Sequence, residues 1–241
     1  MKLFSPDPPV RSPGPYPSCE CFAGAGVRGQ PVPVLHHDVQ DTSCSAWITL
    51  LELIERASAD RRTEFSPLEA MSGPDRARIV TLPASIGQLK NVRTLTLYGS
   101  HVSHVPAEIG AMASLEYLDV YTSHRLHYLP YELTRCSSLR RSRMSIRTLF
   151  GNFKNRGKFP SLVAPENIPA LAQIRPLVCS VCASAPPALD RWVTLAVGSD
   201  WVPLLVAACS HECIRRLPKP PEGYVPKPHT GGGSINQPPV R

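Results

Sequence analysis

The sequence predicts an α/β chain: a short solenoid of stacked strand-and-turn units, capped by an N-terminal helix and followed by a small metal-tied module. Three observations carry this reading. Residues 82–106 recur as residues 105–130, with Leu82, Ile86, Leu89, Val92, Leu95 and Leu97 returning 23 residues later as Val105, Ile109, Met112, Leu115, Leu118 and Val120. Self-similarity at such a period marks a stack in which each unit covers its neighbour's open face. An amphipathic stretch precedes the repeats, and two cysteine hooks, CSVC and CSHEC, flank a pair of apolar runs after them.

Taken in order, residues 1–43 are a Pro- and Gly-rich lead without sustained period, read as disordered. A helix is expected from Ser45 to Ala59, because Trp47, Leu50, Leu51, Ile54 and Ala57 share one face. Asp41, Thr42 and Ser43 are available as N-caps. Residues 44–78 then form a helical cap over the raw end of the stack. Residues 79–162 are the repeat block. Its triplets Leu95-Thr96-Leu97 and Leu118-Asp119-Val120 send two side chains inward and one outward, as short parallel strands require. A one-residue insertion makes Leu126 the counterpart of Val102. The third unit begins at Leu129-Pro130 and degrades after Leu139, with Ser142 standing where Leu118 stood, so the hydrophobic stack ends there. Two clean units are fewer than a solenoid usually needs, so flanking elements must contribute core. In residues 163–218 the apolar runs 192–197 and 201–206, separated by Gly198-Ser199-Asp200, read as a β-hairpin. Residues 219–241 read as an extended tail.

The strongest chemical signal is Cys179, Cys182, Cys209 and Cys213. Two short hooks separated by a hairpin can bring four thiolates onto one tetrahedral ion, and Zn²⁺ with four cysteines is a common closed structural site. Ser210 is placed to cap a short helix after the second hook, giving a treble-clef-like order of knuckle, hairpin and helix. Buried unpaired thiols remain an alternative, as does His211 or His229 in place of one sulfur. Cys19, Cys21 and Cys44, with His36 and His37, have irregular spacings and are not expected to hold a second metal. His101, His104, His124 and His127 sit at equivalent places in adjacent units and read as turn residues, since no carboxylate or cysteine completes a set. No nucleophile, zincin or phosphate-loop motif occurs, so no enzyme is expected. No apolar run of about 18 residues is present, and the N-terminus lacks an apolar signal core, so the chain reads as cytoplasmic with reduced thiols.

Outward positions of neighbouring strands form the columns Thr94/Tyr117/Arg141, Thr96/Asp119/Arg143 and Tyr98/Tyr121/Ser145. Tyr98, Tyr117, Asp119, Tyr121, Arg141 and Arg143 thus form a candidate protein-binding face, Tyr and Arg being the residue types favoured at hot spots. Exchanging Arg143 for Glu is expected to weaken a partner without changing stability. The net charge is +7, and residues 135–158 carry eight basic side chains and no acidic one. That run, with the zinc module, supports nucleic-acid binding as the alternative function.

The repeat block resembles bacterial leucine-rich repeat proteins of the short LPxxIGxL type across residues 79–150. The combination of LYGS, YTSHRLHYLPYELTRC, GNFK, the two cysteine hooks and YVPKPH is similar to one leucine-rich repeat domain-containing family, over residues 44–235. The resemblance implies a fold and no activity. Ser100 and Ser123 stand where such repeats carry asparagine, which removes a regular asparagine ladder.

Overall fold

Helix α1 (Ser45–Ala59) forms where the 3.6-residue spacing places it and buries Trp47, Leu50, Ile54 and Ala57. Its N-cap is Cys44, which offers no side-chain bond, rather than one of the three preceding polar residues. Asp41 accepts bonds from the Ser43 backbone N–H and hydroxyl at 2.9 and 2.6 Å. The computed structural model describes residues 19, 32–154, 156–162 and 168–239. Short helices α2 (Gly73–Ala77), α3 (Pro169–Ile174) and α4 (His211–Arg215) complete the helical elements among these. None is long and apolar enough to cross a membrane.

The strands are β1 (Glu64–Phe65), β2 (Thr94–Thr96), β3 (Tyr117–Val120), β4 (Leu129–Pro130), β5 (Arg141–Met144), β6 (Leu189–Val197) and β7 (Asp200–Ala208). A parallel sheet runs β1-β2-β3-β5, and a mixed sheet runs β4-β7-β6. The chain is therefore mixed α/β. Thr94 pairs with Tyr117 and Tyr117 with Arg141, while Thr96 pairs with Asp119 and Asp119 with Arg143. These are the columns that the one-residue insertion requires. Strand β1 was not expected: Phe65 joins Leu95 in register from a segment that lacks the repeat pattern.

Opposite the strands lie three 3₁₀ turns, Ala84–Gln88, Ala107–Ala111 and Tyr131–Arg135. Each follows a proline (Pro83, Pro106, Pro130) near φ −72°, the angle its ring imposes. The two turns that have a successor carry glycine under the next turn's backbone, Gly87 beneath the Glu108 carbonyl and Gly110 beneath that of Glu132.

At the strand-to-turn corners the buried serines take the place of an asparagine ladder. The Ser100 and Ser123 hydroxyls lie 2.8 Å apart. Ser123 Oγ accepts the Ser100 N–H at 3.2 Å and donates to the Leu97 carbonyl at 3.0 Å. Ser123→Ala strands these groups away from water, at a cost of about 1–3 kcal/mol. The expected result is a melting temperature lower by roughly 2–10 °C, measured by circular dichroism; an unchanged midpoint would show that the ladder is not stabilising.

The stack ends at Ser142 as expected, and the β6–β7 hairpin closes it. Ser142 Oγ accepts the Ser199 N–H at 3.0 Å and lies 2.9 Å from the Val197 carbonyl and 2.6 Å from Asp200 Oδ2. Gly198 turns this corner at φ +60°, where a Cβ would stand 2.7 Å from the Arg141 carbonyl carbon. On the other side β7 pairs with β4, Leu129 opposite Leu204. One hydrophobic core consequently runs from Trp47 through the repeats to Leu217. A second cluster gathers Leu35, Tyr128, Phe150, Phe159 and Trp192.

Both ends of the described chain are held more firmly than their composition suggests. Gln40 exchanges hydrogen bonds with Gln173 at 2.8 and 3.2 Å and accepts from the Val80 N–H at 2.9 Å. Most of the expected disordered lead, residues 1–18 and 20–31, lies outside the described residues. In the tail, Trp192 and His229 exchange backbone bonds at 2.8 and 3.1 Å, and Gln237 donates to the carbonyls of Arg156 and Gly157. Proline-rich chain lacks its own ladder, yet it can pair with the open edge that β6 presents.

Candidate metal centre and interaction face

The hook at Cys179 and Cys182 sits at the entrance to β6, and Cys209 and Cys213 sit between β7 and α4. The Ser180 N–H donates to the Ala207 carbonyl at 2.8 Å and Ser180 Oγ accepts from the Ala207 N–H at 3.0 Å, fastening the first hook to β7. Ser210 caps α4 as expected, accepting the Cys213 N–H at 3.3 Å. All four sulfurs lie within 4.8 Å of one another, with Cys182–Cys209 and Cys209–Cys213 each 3.6 Å apart. A disulfide needs about 2.05 Å, whereas sulfurs at about 2.3 Å around a tetrahedral ion stand about 3.8 Å apart. The spacing fits the second case and not the first.

Electrostatics points the same way. Burial works against a Cys179 thiolate, but the backbone N–H groups of Cys182, Val181 and Cys209 outweigh it and hold that thiol down at about 6. Cys209, facing the neighbouring sulfurs of Cys182 and Cys213, is pushed up to about 12. Cys182 is also lowered, chiefly by the Ser184 backbone N–H, whereas Cys213 is raised. The four sulfurs are therefore not all held as thiolates by the fold alone, and a cation would favour that state. The four residues are compatible with a bound metal ion.

The six residues expected on the sheet face do come together. Arg143 lies over the rings of Tyr121 and Tyr98, at 4.7 and 5.5 Å, and 3.6 Å from Asp119 Oδ2. Arg141 lies over Tyr117 at 5.2 Å. Asp119 is buried, which raises its carboxyl pKa, while the Tyr121 N–H and Arg143 oppose that rise. Arg143 is thus the counter-charge of a buried carboxylate. Replacing it by Glu would set two carboxylates together and cost stability, contrary to the sequence expectation. Arg141 and Tyr121 are exposed and are the cleaner probes.

Several cations of the basic run have partners within the chain. Arg135 donates to the Ser180 carbonyl, Arg141 and Arg143 lie on tyrosines, and Arg156 lies over Tyr224. A cavity of about 450 Å³, lined by Tyr128, Glu132, Leu171, Arg175, Asp190 and Leu205 among others, includes no cysteine, serine or histidine in its wall. Arg175 and Asp190 pair within it at 3.1 Å.

The histidine expectation needs correction. The insertion in the second unit aligns Ser103 with His127 and His104 with Tyr128, so the histidines do not all repeat. Instead His127 stacks on His36 from the lead, with ring centres 5.0 Å apart, and Cys19 joins them. Sequence spacing misses this group because its members are 17 and 108 residues from Cys19. Cys44 is buried in the main core instead, and Cys21 lies outside the described residues.

No protein-family model and no curated protein matches the chain. Among solved structures, a leucine-rich repeat protein of Leptospira interrogans is similar at 25% identity, covering 32% of this chain and 20% of the other, with a TM-score of 0.25. The chain thus spans a fifth of that protein's length, and a likeness of this size fixes neither fold nor function.

Proposed function

We propose that the chain is a non-catalytic protein-interaction module: a short leucine-rich repeat solenoid that binds a protein partner through the outward face of its parallel sheet. In this reading a treble-clef-like zinc segment ties down its C-terminal end. The observation that carries it is the aromatic and arginine face, where Tyr98, Tyr117, Tyr121, Arg141 and Arg143 lie within ring-contact distance across three strands. Such side chains combine large contact area with directed hydrogen bonding, and holding them against one another in advance lowers the ordering cost of binding. Cys179, Cys182, Cys209 and Cys213 would hold Zn²⁺ as a closed four-sulfur site, which supplies folding free energy rather than a reaction. A reducing cytoplasm suits that thiolate set. Nucleic-acid binding through residues 135–158 is the weaker alternative, because most of those cations already interact within the chain.

The test uses a photo-reactive phenylalanine at position 121, in cells that make the protein. One discrete protein should be cross-linked, and Arg141→Glu should reduce its capture about tenfold, the loss expected of a peripheral hot-spot contact, with the melting midpoint unchanged. Capture of nucleic acid, or capture indifferent to Arg141→Glu, would remove the sheet face as the binding site.

A further inference from the structure

We propose that Cys19, His36 and His127 form a second zinc site, separate from the four-cysteine cluster, which clamps the lead of the chain onto the repeats. Cys19 Sγ lies 3.4 Å from His36 Nε2 and 3.2 Å from His127 Nε2. With Zn–S of about 2.3 Å and Zn–N of about 2.0–2.1 Å, a tetrahedral ion sets sulfur and nitrogen about 3.6 Å apart. The three ligand atoms converge to nearly that spacing, all within 4.8 Å of one another.

The outer ring nitrogens fix which face each imidazole presents. His127 Nδ1 lies 2.5 Å from the Thr148 carbonyl, which can only accept, so Nδ1 carries the proton and Nε2 presents a lone pair. His36 Nδ1 lies 3.2 Å from Asp38 Oδ2, and Asp38 Oδ1 accepts from Arg125 at 2.6 Å. A carboxylate behind one imidazole and a carbonyl behind the other is the outer arrangement that orients metal-binding histidines. Both Nε2 atoms face the same sulfur. A cation at the centre of the three atoms would be bound by all of them.

His104 supplies an independent observation. It is 1% exposed, its Nδ1 bonds Ser103 Oγ at 2.9 Å, and its Nε2 has no hydrogen-bond partner. Its ring stands edge-on to His36 with centres 6.3 Å apart. Three protein ligands leave a fourth position on zinc, and His104 is the buried polar side chain that stands beside it. One thiolate with two imidazoles suits zinc better than calcium or magnesium, which prefer oxygen. On binding, the Cys19 thiol gives its proton to solvent and the sulfur becomes the ligand. No electron is transferred.

The site joins residues 17 and 108 positions apart, so its effect is to pin the segment holding Cys19 against the second repeat. The experiment is elemental zinc analysis of the full, untagged chain beside Cys19→Ala and Cys213→Ser, each refolded with excess zinc and desalted. The expected counts are two equivalents for the native chain and one for Cys19→Ala, which keeps its melting of the C-terminal segment. Cobalt loading of Cys19→Ala should retain the spectrum of a four-sulfur centre, and His127→Gln should lose the same equivalent as Cys19→Ala. Equal zinc counts in the native chain and Cys19→Ala overturn the proposal, whatever Cys213→Ser does. A loss confined to Cys213→Ser would leave the four-cysteine site standing alone.

Discussion

Cys182→Ser and Cys213→Ser are expected to release the zinc proposed for the four-cysteine cluster and to unfold residues 177–217. Serine keeps the size of cysteine but does not supply a thiolate, so the change acts on the metal and not on packing volume. Structural zinc contributes on the order of 10 kcal/mol of folding free energy, against a total stability of about 5–15 kcal/mol for a domain. The loss cannot remain local. Strand β7 lies between β4 and β6, and its turn fills the end of the repeat stack at Ser142. Unfolding the hooks therefore opens the core at Leu129 and Val120 as well. Circular dichroism at 25 °C should show a largely unfolded variant, and chelation of the native chain should do the same until zinc is restored. Cys136→Ser is the control: its buried thiol donates to the Ile109 carbonyl at 3.3 Å and touches no metal cluster, so metal content should not change. Native melting with native zinc content in both hook variants would remove the assignment.

How much of this was readable in advance follows from which interactions are local. The helix over Ser45–Ala59, the strand columns with their one-residue shift, the hairpin and the Ser210 cap all arise from periodicity or short-range capping, and each is where the pattern places it. The four-cysteine cluster was readable because two short hooks and a hairpin leave few ways to arrange the sulfurs. What the pattern hides is non-local. Strand β1 has no repeat consensus and is defined by its partner β2. The pairing of β4 with β7 turns a module that reads as separate into the closing wall of the stack. Irregular spacing sets Cys19 and His36 aside, because the residue that completes their group, His127, comes from the second repeat. Arg143 looked like a free probe, and only the fold reveals the buried Asp119 beneath it.

Gly110→Ala is expected to cause the largest loss of stability among substitutions within the repeats. A Cβ at Gly110 would stand 2.3 Å from the Glu132 carbonyl oxygen and 2.8 Å from its carbon. Those are backbone atoms, so no side chain can rotate out of the way, and the third turn must move off the second. Overpacking of this kind costs about 1–3 kcal/mol, occasionally more. Alanine's better helical propensity returns at most about 1 kcal/mol. A net loss of about 2 kcal/mol corresponds to roughly 4–8 °C in melting temperature. Gly87 meets the Glu108 carbonyl at 2.8 Å, a looser approach, so Gly87→Ala should cost less. The corresponding position in the third turn is Thr134, which is exposed and carries a side chain where no further turn stacks on it. Thr134→Ala should change the stability by no more than about 0.5 kcal/mol. The order Gly110, Gly87, Thr134 in thermal melts is the signature of successive turns resting on one another. Equal losses at all three positions would mean that glycine is selected there by local backbone preference, and that stacking does not set the sequence of the repeat.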